Sequence, residues 1–225
     1  HPDDVELACA GTLLVQQKLG HSTGIIDLTR GELGTRGTAI TRDQEAKNSA
    51  QILNLKAREN LDLGDGFFEI NTDTLLKVIY AIRKHKPKLV LANAIFDRHP
   101  DHGRGAQLLE RACFLAGLPK VEVAEGLEAH RPTNVLNYIQ DRWIEPDIVI
   151  DISAQWQTKI EAIKAFKTQF FDPNNTEPNT PISGKVFFDY LEGRAREFGR
   201  YIGAEFGEGF TKTKALPLQN FNTLF

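Results

Sequence analysis

Apolar positions recur along this chain at two alternating periods, and the alternation predicts the fold. From Glu6 to Lys18, Leu7, Ala10 and Leu14 with Ala8, Gly11 and Val15 fall at helical spacing, and the pattern stops at Gly20. Ser22 to Thr29 (STGIIDLT) then reads as a short buried strand, followed by the glycine-rich stretch TRGELGTRGT. Thr41 with Gln44 reads as a capping box ahead of an amphipathic helix carrying Ala46, Ala50, Ile52 and Leu53. A strand near Glu59 to Leu63, a helix from Thr72 to His85 ending before Pro87, and the continuous apolar strand LVLANA come next. A helix from Gly105 to Ala116, strands over Thr133 to Gln140 and Asp147 to Ile152, and helices near 155–167 and 186–202 complete the series.

Strands apolar on both faces, alternating with helices, predict an α/β fold: a Rossmann-like three-layer sandwich with a mostly parallel central sheet and helices on both faces. A length of 225 residues suits a single domain spanning 1–225. No repeat, low-complexity tract or linker interrupts it. The proline- and asparagine-rich loop FFDPNNTEPNTPISG reads equally as a lid or interface arm and as a mobile surface excursion.

Charge narrows the partners. The net charge of −3, with acids and bases intermixed, gives no basic footprint for nucleic acid or for an anionic membrane, so a small molecule is the expected partner. Cys9 and Cys113 fall within apolar helical patterns and read as buried thiols. No apolar run approaches a membrane span and no signal peptide is apparent, which predicts a cytoplasmic protein. The absence of methionine points either to residues missing from the start of the sequence or to modified methionines lost from within it.

The chemistry concentrates in two tetrapeptides, HPDD at His1 to Asp4 and HPDH at His99 to His102. The second lies beyond the carboxyl end of LVLANA, where open parallel sheets bind ligands. By analogy the first should follow a strand too, so a missing first strand is expected ahead of His1. Each proline holds the preceding histidine extended at a strand end. A turn entering a helix then lets His1 and Asp4 converge while Asp3 projects elsewhere, and His102 supplies a third donor. Two imidazoles and one carboxylate with a position open to water is the arrangement of catalytic rather than structural zinc. Asp3 could then accept a proton from the attacking water, and His99, hydrogen-bonded to Asp101, could steady the oxyanion or protonate the leaving amine. A single such turn would read more simply as an aspartate capping helix amides. Two copies, holding three of the six histidines, favour a metal site.

HPDDVE, the TRGELGTRGT loop with the following TRDQEA, RHPDHGR, and RAREFGRYIGAEFGEGF together resemble the PIG-L/LmbE-like family of metal-dependent N-acetylglucosamine deacetylases, and within it the bacillithiol-biosynthesis branch. The resemblance implies His1, Asp4 and His102 as zinc ligands, Asp3 as general base, and His99 as acid or oxyanion stabiliser oriented by Asp101. It also implies N-acetylglucosaminyl malate as substrate and a homo-oligomer, a hexamer being one form. A His2Asp site also accepts ferrous iron or another divalent ion. Relatives carry glutamate directly after the first motif; here Val5 intervenes before Glu6, which leaves Glu6 only helix N-terminal electrostatics.

Arginine forks are the natural receptors for the carboxylates of such a conjugate, and Arg42, Arg98 and Arg131 are the candidates for the mouth of the site. Gly31, Gly34 and Gly37 fit a flexible substrate loop better than a phosphate cradle. His21, His85, His130, Trp143 and Trp156 read as structural. Two other functions stay open: deacetylation of a different N-acetylglucosamine conjugate, and a non-catalytic module binding a sugar or nucleotide.

Overall fold

A computed structural model describes residues 1–217 and 220. Its elements run α1 (Asp4–Lys18), β1 (Gly24–Asp27), α2 (Ala39–Ile52), β2 (Ala57–Asn60), α3 (Thr72–His85), β3 (Leu89–Ala92), α4 (Pro100–Ala116), β4 (Asn134–Tyr138), β5 (Ile148–Asp151), α5 (Trp156–Lys164), α6 (Val186–Ile202) and β6 (Gly207–Lys212). The strands form two pieces: a parallel pair β1–β2, and a four-stranded sheet in the order β3-β4-β6-β5. β3 and β4 are parallel, whereas β6 runs antiparallel to both of its neighbours.

Register explains why helices cover both faces. Val90 pairs with Val135, and Leu91 with Leu136. Successive side chains of a strand point to opposite faces. Val90 and Val135 accordingly pack on Val78, Ile79, Leu108 and Ala112 of α3 and α4. Leu91 and Leu136 face the other way, toward Ala8 and Cys9 of α1, where Tyr138 and Phe210, register partners across β4 and β6, join them. The three-layer α/β expectation therefore holds.

Two local expectations need correction. The capping box of α2 is formed by Thr38 and Thr41: the Thr41 amide donates to Thr38 Oγ1 at 3.2 Å and the Thr38 amide to Thr41 Oγ1 at 2.7 Å. The helix thus opens three residues earlier than a Thr41 cap would allow, and Gln44 bonds Asn48 along the helix surface instead. The EFGEGF segment builds β6, an unexpected strand, whose Glu208 is fully buried against Lys159 (2.6 Å) and the amides of Gly11 and Thr12.

The loop over 170–184 is tied down. Arg36 donates to the carbonyls of Pro178 (2.6 Å) and Glu177 (3.1 Å), and the Gly37 amide donates to Glu177 Oε1 at 2.9 Å. Among the described residues no helix is long and apolar enough to cross a membrane.

Candidate active site

The two HPD turns meet. His1 precedes α1 and His99 caps α4 with Pro100 at its first position, and their rings lie 4.5 Å apart in an edge arrangement. His102 sits 5.5 Å from His1 and 5.4 Å from His99 between ring centres. Asp4 joins the turns: Oδ2 is 3.0 Å from His1 Nδ1 and Oδ1 is 3.2 Å from His102 Nε2, while Gln140 donates to Oδ1 at 2.6 Å. Close approach of α4 depends on Gly105, where a Cβ would stand 2.9 Å from Asn93 Oδ1 and 3.2 Å from Leu28 Cδ1.

Asp3 takes a different direction, with φ of 117° in the left-handed region that asparagine and aspartate tolerate best among side-chain-bearing residues. Its Oδ2 accepts from Arg42 Nη2 at 2.9 Å, and the same guanidinium grips the Pro2 carbonyl at 2.5 Å and the Gly31 carbonyl at 3.1 Å. Gly31 is required here, since a Cβ on it would stand 2.0 Å from Arg42 Nη1.

Around this pair lies a layer of orienting contacts. Asp97 accepts from His102 Nδ1 at 2.7 Å and from the amides of Arg142 and Asp141 at 2.9 and 3.3 Å. Glu6 is fully buried and accepts from Ser49 Oγ and Arg58 Nη1, each at 2.5 Å, and Arg58 also reaches Asp27. Its task is therefore larger than helix electrostatics: it anchors the first turn of α1 to α2 and β2.

Burial and neighbouring charge divide the titrating groups. Burial pushes the Asp3 carboxyl up, Arg42 opposes and Asp4 adds, leaving it at about 7. Burial works against charge on Asp4 as well, but His102 and His1 outweigh it and hold that carboxyl well below its usual range. His102 is held up to about 10, because Asp4 and Asp97 overcome its desolvation. His99 is depressed by burial and by the positive His1 and His102.

The donors suit a divalent cation. His1 Nε2 is buried without a hydrogen-bond partner, although Asp65 Oδ1 stands 3.0 Å and Asp101 Oδ2 3.5 Å away. Ligand atoms of His1, His99 and His102 lie within 4.8 Å of one another, as do those of His1, Asp65 and Asp101. A desolvated imidazole nitrogen facing several carboxylates and imidazoles, with its polar capacity unmet, is a cation donor set.

The cavity over this cluster has a volume of about 240 Å³. Leu7, Ile182, Phe187 and Leu191 form an apolar side, and Arg98, Gln140, Asp141 and Arg194 a polar one.

Comparison with known proteins bears on this geometry. The model of the family described as GlcNAc-PI de-N-acetylase, PIG-L, matches residues 1–113, half of the chain. The chain belongs to the PIG-L family. The match takes in both HPD turns, the glycine-rich loop and Arg42. A diacetylchitobiose deacetylase from Thermococcus kodakarensis is 28% identical over 222 residues, covering 93% of this chain and 79% of that protein. Among solved structures, the conserved protein TT1542 from Thermus thermophilus superposes with a TM-score of 0.86 at 33% identity, covering 97% of this chain and 94% of that one. GalB, the 4-carboxy-2-hydroxymuconate hydratase of Pseudomonas putida, superposes at 0.80 with 20% identity, covering 98% and 95%. The PIG-L fold is thus shared with a hydratase, and the site rather than the fold must carry the functional argument.

Of the residues expected at a PIG-L site from sequence, the structure gathers His1, Asp3, Asp4, His99, Asp101 and His102 around one cluster. Asp101 departs from its expected role. Its carboxylate accepts from the Gly66 amide and from Arg104 Nη1, both at 2.7 Å, and His99 Nδ1 instead accepts from the Asp101 backbone amide at 3.2 Å. That bond leaves Nε2 as the N–H of a neutral His99. Arg42 lines the cavity with its fork occupied by Asp3 and carbonyls, and Arg98 lies on the polar side, half-exposed, 3.2 Å from Asp141. Arg131 does not reach the site: it stacks over Phe114 at 4.5 Å and donates to the Phe114 carbonyl at 2.9 Å, lining a separate cavity. Asp65, Gln140 and Asp141 carry no motif that points to them; Arg194 opens the RAREFGRYIGAEFGEGF block, which marks the family but not a place in the cavity, and Asp97, two residues before HPDH, carries a positional signal.

Proposed function

We propose that this protein is a divalent-metal-dependent hydrolase that removes the acetyl group from an N-acetylglucosaminyl conjugate, with N-acetylglucosaminyl malate of bacillithiol biosynthesis as preferred substrate and zinc as metal. Asp3 carries the reading. A desolvated carboxylate with a left-handed backbone, gripped by Arg42 beside a donor cluster, has no use in a sugar-binding module, whereas a hydrolase needs a proton acceptor there. His1, Asp4 and His102 would hold the metal, which when bound supplies Lewis acidity to the amide carbonyl and to water.

The chain's own groups do the rest. Asp3, poised near neutrality, takes the proton that water loses as its oxygen bonds to the carbonyl carbon. His99 Nε2–H donates to the carbonyl oxygen as charge builds there, and its tautomer is held by the Asp101 amide. The C–N bond then breaks, the amine nitrogen takes the proton returned by Asp3, and acetate and the free aminosugar leave. Family membership and the deacetylase relative support this reaction class, and Arg98 on the polar side supports an acidic conjugate.

The test is acetate release by anaerobically prepared, metal-analysed protein supplied with zinc or ferrous iron. N-acetylglucosaminyl malate should be used roughly tenfold or more better than N,N'-diacetylchitobiose, the discrimination a charge-assisted hydrogen bond supplies. Equal use of both would overturn the malate assignment. Absence of acetate from every N-acetylated sugar would overturn deacetylation itself.

A further inference from the structure

Three arginines line the cavity, and their partners differ. Arg42 is held by Asp3, and Arg98 Nε lies 3.2 Å from Asp141 Oδ2. Arg194 of α6 donates from Nη2 to the backbone carbonyl of Asp141 at 3.1 Å and has no carboxylate within ion-pair reach among the described residues. The neighbouring arginines of the same helix are matched: Arg196 pairs with Glu192 at 2.8 Å and Arg200 with Glu197 at 2.6 Å. The unpaired one points into the cavity. Burial even lowers its proton affinity, with Asp141 and Asp97 only partly compensating. A guanidinium stays charged in such a place, so its unmet donors favour an anionic guest.

The surroundings keep this cation in register with the reacting centre. Asp141 bridges Arg98 through its carboxylate and Arg194 through its carbonyl. The Asp141 amide in turn donates to Asp97, the carboxylate that also orients His102. One short segment therefore sets the spacing between the two guanidinium groups and the histidine of the metal-binding cluster.

We propose that Arg194, with Arg98 across Asp141, is the receptor for an oxyanion, carboxylate or phosphate, carried by the group attached to the sugar, and that it selects acidic conjugates over neutral ones. The proposal rests on the deacetylation reading for the sugar, and on the unpaired guanidinium for the anion.

The experiment uses metal-loaded wild type, Arg194→Gln, Arg194→Lys, and Arg196→Gln as a control on the outer face of the same helix. Thermal unfolding with added L-malate or inorganic phosphate needs no turnover. Malate should raise the Tm of wild type and of Arg196→Gln, with the shift largely lost in Arg194→Gln and intermediate in Arg194→Lys. In acetate release, Arg194→Gln should lower the ratio of kcat/KM for the malate conjugate to that for N,N'-diacetylchitobiose by about tenfold or more, mainly through KM. N-acetylglucosamine 1-phosphate separates the anions: a larger loss there names phosphate as the guest and removes malate while keeping Arg194. Equal Tm shifts in wild type and Arg194→Gln, or equal losses on acidic and neutral substrates, would overturn the proposal. If no sugar releases acetate, the deacetylation reading falls and the Tm arm still decides the role of Arg194.

Discussion

The two HPD turns share three residues of sequence and use them differently. In the first, Asp3 is the residue before the helix and Asp4 opens it; in the second, His99 holds that place and Pro100 opens the helix. The helix therefore starts at a different point of each motif, two residues earlier in the second. Asp3 is bent aside with a left-handed backbone toward Arg42, whereas Asp101 lies in the first turn of α4 under the Gly66 amide and Arg104. Both carboxylates are buried, at 5% and 4% exposure. Burial raises both, but at Asp101 the nearby His1 ring and the hydrogen bond from the Gly66 amide outweigh it and lower the carboxyl, while Asp3, facing Asp4, remains at about 7. Identical residues at identical motif positions are thus given opposite shifts in proton affinity by what their neighbours donate.

Substitution breaks this contrast most sharply at Asp3. Asp3→Asn should lower kcat about 10²- to 10⁴-fold while metal content and Tm stay near wild type, the loss expected of the proposed general base; steady-state kinetics with metal analysis reads it. Next in size is Asp97→Asn: with His102 as a proposed ligand, losing its partner should weaken metal affinity by about 10- to 100-fold, measured by competition with a chromogenic chelator. Asp101→Asn should cost kcat less than about tenfold, because a backbone amide and not the carboxylate orients His99; a loss matching that of Asp3→Asn would erase the distinction between the turns.

Titration of the metal-free protein sharpens the comparison between the histidines of the second turn. His102 is raised to about 10 from 6.5, so the stability its charge contributes is complete below about pH 6.5 and is lost as pH rises through about 10. The Tm of metal-free protein should fall across that window, and His102→Gln should flatten the slope. His99 is shifted the other way and contributes nothing to it. The smallest effect is expected at Arg131→Ala: KM within about twofold of wild type and a stability loss of about 1 kcal/mol from the Phe114 stack, read by kinetics and denaturant melts.

Much of the architecture was legible where local signals agreed. α3 and α6 occupy the expected residues, α3 being capped by Asn71 with Thr74 and stopped ahead of Pro87. The spacing within each HPD turn, together with their positions at strand ends, brought the donor cluster into view. β6 was hidden because its inward residue is a glutamate between glycines, and nothing local reveals that Lys159 and the amides of Gly11 and Thr12 meet it. Arg131 misled because a guanidinium beside a strand can serve an aromatic ring as readily as a ligand. Asp65 carries no local pattern, and the block that Arg194 opens marks the family without showing which of its arginines turns inward; only the tertiary path of the chain assigns both to the cavity.

Helical geometry in α1 is interrupted at Cys9, and just beyond the break Glu208 receives the amides of Gly11 and Thr12. A late stretch of chain thereby fastens the helix that carries Asp4. During synthesis, a nascent chain ending before residue 207 would lack the clasp that steadies its opening turn, so metal capture should come late in folding. Ribosome-bound intermediates of increasing length would reveal that timing as an abrupt gain of metal affinity once β6 has emerged.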